Sequence, residues 1–127
     1  MSVFFSIGHT TRTYPRLPYE QIKNTVLGKS YQLSLVFVGH DRARALNHAY
    51  RKKRYAPNIL SFALDKSCGE IFITPTVTKK EARKVHMTTP DYTGYLFIHG
   101  LLHLKGMQHG DTMERLETRY CRRYNLV

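Results

Sequence analysis

Residues 97–110 read FIHGLLHLKGMQHG, and the histidines at 99, 103 and 109 constrain this chain more than any other feature. His99 and His103 stand four apart, so on one α-helix their rings project from the same face a turn from each other and can chelate a single ion. A third ligand at this spacing requires the chain to turn back, and Gly106 supplies a left-handed backbone without steric cost. His109 is then delivered to the same point. Three neutral imidazoles leave one position of a tetrahedral zinc open, which is the pattern of a catalytic site and not of a closed structural one. The sequence therefore predicts one zinc ion per chain at His99, His103 and His109, with nickel or cobalt as substitutes for the same donors. His9, His40, His48 and His86 have no partner at ligand spacing and are left out of the site.

The surrounding pattern is mixed. Weak alternation over residues 2–7 predicts a strand, and Tyr19, Ile22 and Val26 at helical spacing predict a helix over 18–28, stopped by Gly28. YQLSLVFV at 31–38 reads as a buried strand, after which Asp41 is placed to cap a helix running to about Lys53. NILSFAL at 58–64 and EIFIT at 70–74 are two short strands joined by a turn. Thr78 with Glu81 forms a capping box for a short basic helix to about Val85; Thr89-Pro90-Asp91 opens a helix to Lys105; Asp111 with Glu114 opens another. The expected order is β, α, β, α, β, β, α, α, α. No repeat, linker or low-complexity stretch divides it, so residues 1–127 are expected to form a single domain.

Lys and Arg number 20 against 9 Asp and Glu, a net charge of +11, and such a field favours a polyanionic partner. Nucleic acid fits better than a membrane, because the basic residues are spread along the chain instead of forming one amphipathic helix. No stretch nears the roughly 18 apolar residues of a spanning helix, and residues 1–6 lack the marks of an export signal, so a cytoplasmic location is expected. Cys68 and Cys121 form no ligand-like pair and read as free, partly buried thiols.

Three functions are compatible with the histidines. The spacing H-x-x-x-H-x-x-G-x-x-H is also that of metzincin proteases, in which a glutamate general base follows the first histidine; here Gly100 stands there. A zincin-like metalloprotease would need a carboxylate from elsewhere, with Glu114, Glu70 and Asp111 nearest in sequence. A non-catalytic zinc-stabilised RNA- or ribosome-binding module would need a fourth protein ligand, such as Cys68 or Cys121. The third function is cleavage of RNA.

That third function is supported by a resemblance. HGLLHLKGMQH resembles the H-G-x-L-H-L-x-G-x-x-H signature of the YbeY family, with Met113 at a similar offset. LNHAYR at 46–51 and NILSF at 58–62 are similar to that family's L-N-x-x-Y-R and V-L-S-F segments, and Gly69-Glu70-Ile71 to its G-D-I. The likeness spans roughly residues 32–114. Gln108 and Glu70 stand where the family commonly has Asp, and the segment between Thr74 and Asp91 is short. Gln108 accepts hydrogen bonds but carries no charge, so it does not supply a base. The resemblance implies a zincin-like α+β fold, a small mixed sheet of about four strands packed with helices, with the metal site on a C-terminal helix and the turn after it. It also implies a zinc-dependent, single-strand-specific endoribonuclease acting in ribosomal RNA maturation and ribosome quality control. Its partners would be single-stranded and ribosomal RNA and the small ribosomal subunit, with no small-molecule cofactor and no membrane.

Phosphodiester cleavage builds negative charge on the non-bridging oxygens, and a guanidinium offers a fixed fork of donors to hold it. Arg51 is the candidate, and the equivalent arginine is held to be catalytic in the family it resembles. It lies in YRKKRY at 50–55, where Lys52, Lys53 and Arg54 between Tyr50 and Tyr55 are expected to hold RNA phosphates, with Ser61 as a further RNA contact.

Overall fold

A computed structural model describes residues 4–126. The elements run β1 (Phe5–His9), α1 (Tyr19–Leu27), β2 (Gln32–Phe37), α2 (His40–Arg51), β3 (Ile59–Asp65), β4 (Cys68–Ile73), α3 (Pro75–Lys84), α4 (Thr89–Leu104) and α5 (Asp111–Arg123), the order the sequence predicts. Ser2 and Val3 of the expected first strand lie outside the described residues. The four strands form one sheet in the order β1-β2-β4-β3. β1, β2 and β4 are parallel, and β3 pairs antiparallel with β4, which leaves β3 at the edge.

The alternation of side chains across a strand decides what each sheet face does. Leu33, Leu35, Phe37, Ile71 and Ile73 are buried on one face beneath α1 and α4, with Ile22, Phe97, Ile98, Leu101 and Leu102 of those helices. The opposite face is more open: Phe62 and Phe72 meet edge to face at 5.9 Å between centroids, and Tyr50 at the end of α2 leans on Phe62 at 5.1 Å.

α4 is the hub, in contact with α1, α3, α5, β3 and β4. Its sequence is apolar around most of its circumference, as a helix enclosed by neighbours must be. Gly100 lets it approach the sheet: a Cβ there would stand 2.8 Å from both Ile59 Cδ1 and Ser61 Oγ. The Ser61 hydroxyl donates to the Gly100 carbonyl across this contact, at 3.4 Å. Among the described residues no helix is long and apolar enough to cross a membrane.

Several helix starts differ from expectation. α3 begins at Pro75, not at Thr78; Thr78 is inside the helix and its hydroxyl donates to the Pro75 carbonyl. Proline is tolerated at a first helical position, where its missing N–H would have had no partner. Glu81, freed from the expected capping box, accepts from Asn58 Nδ2 at 2.9 Å and from the Tyr92 hydroxyl at 2.8 Å, tying α3 to α4 and to the chain entering β3. The cap of α4 is Thr88, one residue before the expected Thr89, and accepts from the Asp91 amide at 3.2 Å. Asp41, Asp111 and Glu114 do not cap; Gly39 and Gly110 take the cap positions, and the acids sit in the first turns, where the helix dipole favours them. α2 stops at Arg51 because Lys52 enters the left-handed region at φ 60°.

Candidate metal centre

The last two turns of α4 carry His99 and His103, and a tight reversal brings the third histidine back to them. Gly106, at φ +97°, donates its amide to the His103 carbonyl at 2.9 Å, and Met107 donates to the Leu102 carbonyl at 3.0 Å. This nested pair is the Schellman motif that ends a helix when a left-handed residue follows it. The ring of His109 then lies 4.9 Å from that of His99 and 4.7 Å from that of His103, centroid to centroid. One nitrogen from each of the three rings falls within 4.8 Å of the others. His99 and His103 are half-buried and His109 is exposed, so the cluster opens to solvent on the side of the turn.

The hydrogen bonds of the outer nitrogens fix what the inner ones present. His99 Nδ1 lies 2.5 Å from Glu117 Oε2, and His103 Nδ1 lies 3.2 Å from the Met107 carbonyl. A carboxylate and a carbonyl only accept, so both Nδ1 atoms donate, and in the neutral rings this leaves the lone pairs on the two Nε2 atoms. Yet the two Nε2 atoms stand 3.0 Å apart. Between neutral rings of this form the facing lone pairs repel, and either a proton on one Nε2 or a metal ion bound by both removes that repulsion. Two nitrogens of a tetrahedral zinc with bonds of about 2.05 Å would be about 3.3 Å apart, close to what is found. Burial first, and then the neighbouring His99, hold the His103 pKa below the ordinary histidine value, against the opposing bond to Met107, and this favours the neutral, ligating ring. The residues present therefore fit a divalent ion bound by imidazole.

Among the described residues no further His, Cys, Asp or Glu joins the cluster. Cys121 is buried, and burial pushes its thiol up to about 11; Cys68 is half-buried on β4. Gly100, in the place of a metzincin glutamate, faces the sheet rather than the histidines. Glu70 alternates to the sheet face away from α4, opposite Phe62 in register, while Asp111 and Glu114 are exposed in the first turn of α5.

The carboxylate that does reach the histidines is Glu117, which sequence reasoning passed over. It lies 18 residues beyond His99, on α5, and is 5% exposed. A signal existed: the buried positions of α5 are Met113, Glu117 and Cys121, an i, i+4, i+8 stripe with an acid in its middle.

Arg51 is the last residue of α2, exposed, and its guanidinium makes no hydrogen bond or ion pair among the described residues. It follows Tyr50, which rests on the face of β3 opposite to the one Ser61 presents to α4, so the edge strand lies between Tyr50 and that helix. Lys52, Lys53 and Arg54 are exposed beside it. The structure thus brings the three histidines together, leaves the basic stretch at the end of α2, and ties Ser61 to the backbone of α4.

Comparison with known proteins decides the family. The family model described as Endoribonuclease YbeY matches residues 10–125. The chain belongs to the YbeY family. It is 35% identical over 127 aligned positions to an Endoribonuclease YbeY of Neisseria meningitidis serogroup B, covering 87% of this chain and 74% of that one. To the Endoribonuclease YbeY of Bordetella petrii it is 40% identical over 97 positions, covering 68% of this chain and 63% of that one. The match therefore spans about two thirds to three quarters of these YbeY relatives' length. A solution structure from Thermotoga maritima shares the fold, with a TM-score of 0.68 and 22% identity over 92% of this chain and 86% of that one.

Proposed function

We propose that this chain is a single-domain, zinc-dependent, single-strand-specific endoribonuclease that acts in ribosomal RNA maturation and ribosome quality control. The observation that carries the reading is the convergence of His99, His103 and His109, with the Nε2 atoms of His99 and His103 turned toward each other. Membership of a family named for endoribonuclease activity supports RNA as the substrate. When bound, a divalent ion at this point supplies Lewis acidity to a phosphoryl oxygen or to an attacking hydroxyl.

The chain's own residues divide the remaining work. His99 and His103 are held by Glu117 and by the Met107 carbonyl so that their donor atoms need no reorientation on binding. Arg51 presents its forked donors to the non-bridging oxygens as charge builds on them. Lys52, Lys53 and Arg54 hold flanking phosphates, and Ser61 borders the RNA path where β3 meets α4. The net charge of +11 raises the local concentration of a polyanion before any specific contact forms. Ribosomal RNA and the small ribosomal subunit belong to the same reading and rest on the family resemblance, and the cytoplasmic location in it rests on the sequence pattern.

A protease has less support. Gly100 offers no base, and the carboxylate of Glu117 contacts His99 on Nδ1, the far side of the ring from the atom that faces His103. The test is cleavage of a single-stranded ribosomal RNA fragment by purified protein with and without zinc, with EDTA and His103→Ala as controls. Zinc-linked cleavage lost in both controls is the expected result. Stoichiometric zinc without cleavage would replace the enzyme by an RNA-binding module, and cleavage that survives both controls would remove the histidines from the reaction.

A further inference from the structure

A glutamate in the middle of the buried stripe of α5 is costly to place. Removing a carboxylate from water costs several kcal/mol unless a partner compensates it. The chain has 20 lysines and arginines to offer, yet the side-chain hydrogen-bond partner of Glu117 among the described residues is His99. Its charge is felt by its neighbours: burial first, and then Glu117, raise both the Tyr95 phenol and the Cys121 thiol. A carboxylate kept in such a place, against an imidazole and away from the available cations, has a use that stability alone does not explain.

From this we infer that Glu117 is the positioning residue of the metal centre, fixing His99 in the Nδ1–H form and placing a compensating negative charge behind the ligand. The inference rests on reading the three histidines as a metal site. Its geometric basis is the bond from His99 Nδ1 to Glu117 Oε2, made from α5 to a ring on α4. The bond does two things. It leaves the lone pair on Nε2, the atom 3.0 Å from His103 Nε2, and it raises the electron density of the ring so that it donates more strongly to a cation. In a chain with a net charge of +11, Glu117 is also the near negative charge that offsets a dication beside three imidazoles. Glu117 is not a proton acceptor for the reaction, because its carboxylate is taken up on the opposite side of the ring.

The role separates from mere packing through two variants and two readouts. Glu117→Met keeps the length and apolar fit of the side chain but removes the acceptor; Glu117→Gln keeps an acceptor and removes the charge. Zinc dissociation constants, measured by chelator competition, are expected to weaken roughly 10- to 100-fold in Glu117→Met and less in Glu117→Gln. Side-chain 15N spectra of the metal-free protein, taken above the titration range of imidazole, are expected to show His99 as Nδ1–H in the parent and in Glu117→Gln. Glu117→Met is expected to lose that form. Glu117→Leu repeats the test should the methionine variant fail to fold. An acceptor-free variant that binds zinc within twofold of the parent, or that retains the Nδ1–H form at His99, overturns the role of Glu117 alone. A parent that binds no zinc overturns the metal centre and this role with it.

Discussion

Replacing Gly100 by valine tests the contact on which the site is mounted. The Cβ of any residue at 100 would stand 2.8 Å from Ile59 Cδ1, 2.8 Å from Ser61 Oγ and 3.2 Å from Ile71 Cδ1, and valine adds two methyl groups to that crowded point. All three obstructing atoms are side-chain ends, so a single Cβ can be absorbed in part by rotating Ser61 away from the Gly100 carbonyl and Ile59 out of its well. The two valine methyls cannot, since Ile59, Ser61 and Ile71 already close the space between α4 and the two strands. Overpacking of this kind costs about 1–3 kcal/mol, and valine recovers only a few tenths over glycine in helix propensity, so a net loss of about 2 kcal/mol is expected. At about 2.1 cal/mol/K per residue, a chain of this size has an unfolding entropy near 0.27 kcal/mol/K, which converts that loss to a fall in Tm of about 7 °C. The assay is thermal unfolding of the metal-free protein followed by circular dichroism, with Gly100→Ala as the intermediate step. Ala should fall between parent and valine, because its single Cβ clash is opposed by a helix-propensity gain of about 1 kcal/mol. A valine variant melting within 2 °C of the parent would mean that α4 does not lie on the sheet as closely as Gly100 implies.

Two further substitutions probe the turn and the basic stretch. Gly106→Ala places a Cβ in open space but at φ +97°, so it should cost about 1–2 kcal/mol through backbone strain alone and weaken zinc binding by displacing His109; an unchanged Tm and zinc affinity would refute the turn's role. Arg51→Ala should keep stoichiometric zinc and lower RNA cleavage by about 100-fold or more, as loss of a donor to developing charge does elsewhere, and unchanged turnover in single-turnover kinetics would remove Arg51 from the reaction.

Much of the fold was legible because its signals are local. The strand at 32–37 and the helix at 19–27 declare themselves by period and by the glycines beside them, and the nine-element order follows from such signals taken one at a time. The errors fall where a polar residue had two possible partners. Thr78 and Glu81 have the spacing of a capping box, but Pro75 starts the helix a turn earlier, and Glu81 finds Asn58, 23 residues away, and Tyr92. The spacing of such a pair cannot reveal a competing partner that only the tertiary structure brings near. The same holds for Thr89, displaced by Thr88, whose hydroxyl reaches the Asp91 amide in this backbone.

The metal site divides along the same line. His99, His103 and His109 could be assembled on paper because a helix repeat and one glycine turn relate them, all within 11 residues. Their tautomers could not be, because they depend on the Met107 carbonyl and on a carboxylate from the following helix. It is those outer bonds that make the arrangement chemically pointed. With hydrogens on both Nδ1 atoms, the 3.0 Å approach of the two Nε2 atoms needs a shared proton or metal ion between them, and α4, the Gly106 turn and α5 together maintain it. A surface cluster of histidines free to choose their tautomers would relax by donating one N–H to the other ring. Here the two acceptors behind the rings favour Nδ1–H on both, so that bond forms only when one ring carries a hydrogen on each nitrogen. A metal ion that takes both Nε2 atoms binds the folded chain, where α4, the Gly106 turn and α5 bring the donors together, and not the unfolded one, so zinc should raise the stability of the folded chain as well as complete the site.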